Sequence, residues 1–207
     1  MRRSRSIEKR DRTDVAKGSL SDIAIKEDIS LAEAFAGAKL IIMLDVSGSM
    51  DARDAPTSDG VVSRHDAAEM QVRKLQEQYN GKVALFCFSD DVMFCPNGVP
   101  VRMSHLTAMN AALQYIKRAD GIGIDIILIS DGSPTDGEEA VLETAKTFKQ
   151  KIDCIYIGSE AEMDDYRYGL TGKEFLRKLA EVSGGRFVKT EEVGVFYNDV
   201  EQMMLTA

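Results

Sequence analysis

Two histidines and three cysteines are all that this chain of 207 residues holds of the side chains most used in nucleophilic catalysis and soft-metal binding. Three cysteines make no disulfide framework. Cys87, Cys95 and Cys154 each lie in an apolar, strand-like stretch, so buried free thiols and a reducing, cytoplasmic setting are expected. If Asp90 and Asp91 form a two-residue hairpin loop, Cys87 faces Phe94 and not Cys95. His65 and His105 are far apart in sequence and are expected at the surface or at helix ends, not as catalytic bases. No apolar run approaches the roughly 18 residues of a membrane span. The N-terminal "MRRSRSIEKRDRTDVAK" is not followed by the apolar core of a secretory signal. Positive charge is outnumbered by negative outside that stretch. Residues 1–17 carry seven basic and three acidic side chains, a local +4 against a total of −8, which leaves −12 on the rest. An acidic body excludes a nucleic-acid-binding face on the folded part; the basic leader is the only segment suited to nucleic acid or an acidic partner.

What is present is the material of one soluble α/β domain: 44% hydrophobic and 29% charged residues, with enough length for a single sizeable core. Residues 1–18 read as a flexible basic leader, 19–37 as a helical extension, and 38–207 as the main domain. Ser30 and Glu33 have the spacing of a capping box, and Gly37 is placed to end that helix. "KLIIMLD", "GIDIILIS" and "IDCIYIG" are continuously apolar, as strands buried on both faces must be, and helical patterns stand between them. "KVALFCFS" and "VMFCP" flank the acidic pair as an antiparallel hairpin, and "RFVKT" is a short last strand before a closing helix. "DARDAPTSDGVVSR" reads as a long polar loop. Asp136 and Glu139 form a helix-start signature before "AVLETAKTFKQK". The expected fold is therefore a doubly wound, Rossmann-like α/β sheet, mostly parallel, with helices on both faces. Ligands bind such sheets at the carboxyl ends of the strands. Asp45 and Asp131 each stand where a buried strand ends.

Several enzyme templates fail at that edge. The Gly-x-x-x-x-Gly-Lys-[Ser/Thr] loop is absent, and "GIG" at 121–123 precedes a strand instead of following one. A phosphoaspartyl hydrolase would need an acid where Ser47 stands, and neither serine of "DVSGSM" is flanked as a nucleophile elbow. A metal fits better. Asp45, Ser47 and Ser49 alternate along an extended turn, and Mg²⁺ takes oxygen ligands while keeping several waters. Taken alone, "DVSGSM" is equally well a capped turn with two serines as filler.

The "DVSGSM" segment, "TAMNAAL" and "LISDGSPTDG", in this order and each at a strand end or helix start, resemble the parts of a von Willebrand factor type A (vWA) domain with a metal-ion-dependent adhesion site, of the bacterial or phage intracellular type. "YIGSEAE" and "LAEVSGGRF" are similar to the closing segments of bacterial members. The likeness spans residues 38–205. It implies a six-stranded sheet with one antiparallel edge strand. It further implies Mg²⁺ or Mn²⁺ bound directly by Ser47 and Ser49, directly or through water by Thr107, and mainly through water by Asp45 and Asp131. By the same resemblance the function is non-catalytic: a protein partner completes the ion's shell with an Asp or Glu, and acidic loops tune the choice. Intracellular relatives work beside AAA+ ATPases, chelatases or stress-resistance complexes, which makes an AAA+ ATPase the partner class to expect. The competing reading is a metal-dependent hydrolase that uses the same ion as a Lewis acid, with His105 as the one nearby base.

Overall fold

The computed structural model describes residues 14–57, 60–103, 105–158 and 170–189. The elements run α1 (Leu20–Glu27), α2 (Leu31–Ala36), β1 (Leu40–Asp45), β2 (Ala55–Thr57), β3 (Gly60–Val62), α3 (Arg64–Gln78), β4 (Val83–Phe88), β5 (Val92–Phe94), α4 (Met109–Ile116), β6 (Asp125–Ser130), α5 (Glu138–Lys146), β7 (Ile152–Tyr156), α6 (Gly172–Ser183) and β8 (Phe187–Lys189). Six strands form one sheet in the order β5-β4-β1-β6-β7-β8. All neighbours are parallel except the β4–β5 hairpin, so the antiparallel strand is at an edge. This is the expected doubly wound α/β architecture. Most of the leader and the expected closing helix fall outside the described residues.

Every residue of β1 is buried, and its side chains alternate between two cores. Ile41 and Met43 join the core against α4, α5 and α6, while Leu40, Ile42 and Leu44 join the core against α3. The continuous apolar run in the sequence is the direct consequence of covering both faces. Capping boxes start α2 (Ser30 with Glu33) and α6 (Thr171 with Glu174), and Gly184, in the left-handed region, ends α6. From β1 the chain winds outward to β4 and β5, then crosses back to the other side of β1 for β6. The β1–β6 boundary is thus the switch point, with Asp45 ending one strand and Asp131 following the other.

Three local expectations differ from what is found. The long polar loop after Asp51 contains the two-stranded antiparallel ribbon β2–β3, pairing Ala55 with Val62 and Thr57 with Gly60. The β4–β5 turn spans three residues, Ser89 to Asp91, because Phe88 pairs with Val92. That one-residue shift reverses the faces of β5. Cys87 lies opposite Met93, and the Cys95 Sγ comes within 3.6 Å of the Cys87 Sγ, both as free buried thiols. His65 stands at the start of α3, a helix end as expected, and there it is buried, only 3% exposed, with burial holding its pKa below the ordinary value. Asp136 does not cap α5: its Oδ2 accepts the Ala111 amide at 3.0 Å, capping α4, which has no side-chain cap of its own. Among the described residues no helix is long and apolar enough to cross a membrane.

Candidate metal centre

β1 delivers Asp45 to the carboxyl edge fully buried. The chain then turns through Val46 and Ser47 into a short 3-10 turn, Gly48–Asp51. The Ser47 amide donates back to Asp45 Oδ1 at 2.9 Å, which holds the turn closed. Ser47 is 3% exposed, whereas Gly48 and Ser49 face solvent. The Ser47 and Ser49 hydroxyls are 3.1 Å apart, and the Ser49 hydroxyl donates to Asp131 Oδ1 at 3.1 Å. Asp45, Ser47, Ser49 and Asp131 are therefore joined in one hydrogen-bonded group across the β1–β6 boundary.

Thr107 reaches the same edge from the loop before α4 and is also buried. That loop is pinned on several sides by backbone bonds. The Gly48 amide donates to the His105 carbonyl at 3.1 Å and the Ala108 amide to the Ser89 carbonyl at 2.9 Å. The Thr107 amide donates to the Thr135 hydroxyl at 3.1 Å, while the Thr135 amide donates to the Thr107 carbonyl at 2.9 Å. Among the described residues the hydrogen-bonded group does not extend to the Thr107 side chain. The His105 side chain is 68% exposed, and its Nδ1 lies 3.9 Å from Asp90 Oδ2.

The electrostatics of the two acids differ. Asp131 Oδ2 accepts Arg64 Nη1 at 2.7 Å, a buried ion pair. Asp45 has hydrogen-bond donors only: the Ser47 amide, and the Ser130 hydroxyl at 2.6 Å on Oδ2, with Ser130 in turn accepting the Gly132 amide at 3.0 Å. Burial, and next the charge of Asp131, push the Asp45 carboxyl up to about 6, against the opposing pull of those donors. Among the described residues no cation pairs with Asp45. Ser89, which follows the β4 residue paired with Asp45, has a buried hydroxyl without a hydrogen-bond partner among the described residues. Among the described residues no three His, Cys, Asp or Glu side chains converge. The donors gathered at this edge are two carboxylates and several hydroxyls, an all-oxygen set suited to a hard divalent cation and unsuited to zinc.

Ser130, Arg64 and Asp54 belong to this edge without having been expected there. A hydroxyl closing the apolar run "DIILIS" was the available signal for Ser130, and a cation at the first position of a helix was the signal for Arg64. The loop after Asp131 depends on close backbone approach. Gly132 has φ +133°, and a Cβ there would sit 2.1 Å from the Gly172 Cα at the start of α6.

No family model matches the sequence, and no curated protein matches it. Among solved structures, the chain is similar to the VWA domain of SpRpn10, at 16% identity over 73% of this chain and 87% of that one, with a TM-score of 0.46. It is also similar to the RO (RSR) protein of Deinococcus radiodurans, at 14% identity, over 72% of this chain but 35% of that one, with a TM-score of 0.40. A third likeness is to an uncharacterized membrane spanning protein from Vibrio fischeri, at 19% identity over 79% and 97% of the two chains, with a TM-score of 0.30. These are likenesses of fold, and what the site does rests on its own residues.

Proposed function

We propose that this chain is a vWA-type module that binds Mg²⁺ or Mn²⁺ at the β1–β6 edge and, through the ion, an acidic side chain of a protein partner. The observation that carries the reading is Asp45: a fully buried carboxylate with hydrogen-bond donors but, among the described residues, no cation, set beside a second carboxylate and two serine hydroxyls. A buried charge is costly unless paired, and a divalent ion pairs both acids at once. Ser47 and Ser49 would be the direct ligands, Thr107 a direct or water-mediated one, and Asp45 and Asp131 would act mainly through water. Neutral hydroxyl ligands leave the ion electrophilic, so it would hold an incoming carboxylate without the chain supplying a base or nucleophile. The exposure of Gly48 and Ser49 opens the ion's outer side to such a ligand. An AAA+ ATPase-linked complex is the setting suggested by family analogy alone.

The test is direct. Mn²⁺ titration by calorimetry should show binding, Mg²⁺ should raise the unfolding temperature, and Ser47→Ala and Asp45→Ala should abolish both effects. Partner capture from source lysate should require Mg²⁺, fail in EDTA, and fail with Asp45→Ala. Absence of Mn²⁺ binding, or capture that survives EDTA unchanged, refutes the reading.

A further inference from the structure

Arg64 opens α3, a helix of fifteen residues. The amino end of a helix carries partial positive charge, so a cation is disfavoured there. Burial adds a second cost, since only 9% of the Arg64 side chain is exposed. Two carboxylates offset both. Nε and Nη2 grip Asp54 Oδ1 and Oδ2 at 2.8 and 2.7 Å, a two-point fork, and Nη1 takes Asp131 Oδ2 at 2.7 Å. The other oxygen of Asp131 accepts the Ser49 hydroxyl. The guanidinium therefore bridges the loop after β1 and the end of β6, and fixes which oxygen of Asp131 turns toward the serines.

We propose that Arg64 is the charge-setting residue of this centre: clamped by Asp54, it pairs with the Asp131 carboxylate and offsets its charge. The inference rests on the metal-binding reading above. Asp45, Asp131, Asp54 and Arg64 together carry −2, and a divalent ion brings the centre to neutral. Without the arginine the loaded centre carries −1, and Asp54, itself a third exposed, loses the guanidinium fork. Arg64 thus makes the ion less tightly held than the bare carboxylates would. Lysine cannot take its place, because a single ammonium does not fork onto Asp54 while reaching Asp131.

The experiment measures Mn²⁺ affinity of the full chain by calorimetry for the wild type, Arg64→Met, Asp54→Asn and the double variant, after circular dichroism confirms each fold. Removing one positive charge near the ion in a solvent-open site should tighten Mn²⁺ binding about ten-fold in Arg64→Met. Asp54→Asn should weaken binding several-fold, and the double variant should return close to the wild type. A purely structural arginine would weaken binding in both single variants, and that result overturns the proposal, as does an unchanged affinity in both. If Arg64→Met does not fold, Arg64→Gln takes its place under the same criteria, and equal or tighter Mn²⁺ binding in Asp54→Asn overturns the proposal in either case. A wild type that binds no Mn²⁺ overturns the metal reading itself, an outcome distinct from any order among the variants.

Discussion

Replacing Asp45 by asparagine should stabilise the metal-free protein while removing its response to metal. The Asp45 carboxyl is pushed up from 3.8 to about 6, first by burial and then by Asp131. An acid whose folded value is raised keeps its proton to higher pH when folded than when unfolded. Stability is therefore lost as pH rises from about 4 to about 6, and the full cost is present above that window. A shift of roughly two units corresponds to about 3 kcal/mol. Asparagine keeps the shape and the acceptor for the Ser47 amide but carries no charge. It gives up the acceptor for the Ser130 hydroxyl, a loss of about 1 kcal/mol.

The net expectation is a gain of about 2 kcal/mol for Asp45→Asn in EDTA at about pH 7.5. For a chain of this size that is a rise of roughly 4 to 8 °C in Tm. At about pH 4 the advantage should vanish or reverse, since the wild-type carboxyl is then protonated in the folded state. His65 slopes the other way, its pKa being lowered by burial, but it is common to both proteins and cancels in their difference. Urea unfolding of both proteins in EDTA across that pH range is the assay, repeated with Mg²⁺. The reasoning is refuted if Asp45→Asn is less stable than the wild type at about pH 7.5 in EDTA, or if the difference between the two does not change with pH.

Gly172→Ala should cost stability and disturb Asp131 together, because the new Cβ would lie 2.4 Å from the Asp131 carbonyl oxygen; a fall of about 2–3 kcal/mol in urea unfolding and a weakened Mn²⁺ titration are expected. Thr171→Ala removes the cap that accepts the Glu174 amide and should cost about 1 kcal/mol with no effect on Mn²⁺ affinity. All three thiols are buried; the Cys95 contact, and next burial, raise Cys87, while burial raises Cys154. A thiol reagent at neutral pH should therefore label none of them in the folded chain and all three in denaturant; rapid labelling of the folded chain would contradict the buried Cys87–Cys95 contact.

What could be read from the sequence shares one property: each signal lies within a few residues of itself. The two-faced burial of Leu40–Asp45 and the Ser30–Glu33 box are patterns of period or cap, and both are present. What escaped is made of pairs distant in sequence. The β4–β5 register turned on whether Ser89 belongs to the loop, and one residue was enough to bring Cys95 beside Cys87. Asp136 has the spacing of a cap for its own helix, yet the tertiary fold hands its carboxylate to α4, where no local cap exists. The Gly132–Gly172 approach is invisible until α6 is placed against the end of β6. At the candidate centre the same division holds. Asp45, Ser47, Ser49 and Asp131 could be assigned to one edge because doubly wound sheets put strand ends there, but which acid carries a counter-charge could not. That depends on Arg64, whose position at the start of a helix is locally unfavourable and makes physical sense only once Asp54 and Asp131 close around it. A residue that violates its local rule was thus the best pointer in the sequence to the long-range part of the site, and the asymmetry it creates among the described residues, Asp131 paired with a cation and Asp45 not, is the ground of the metal-binding proposal.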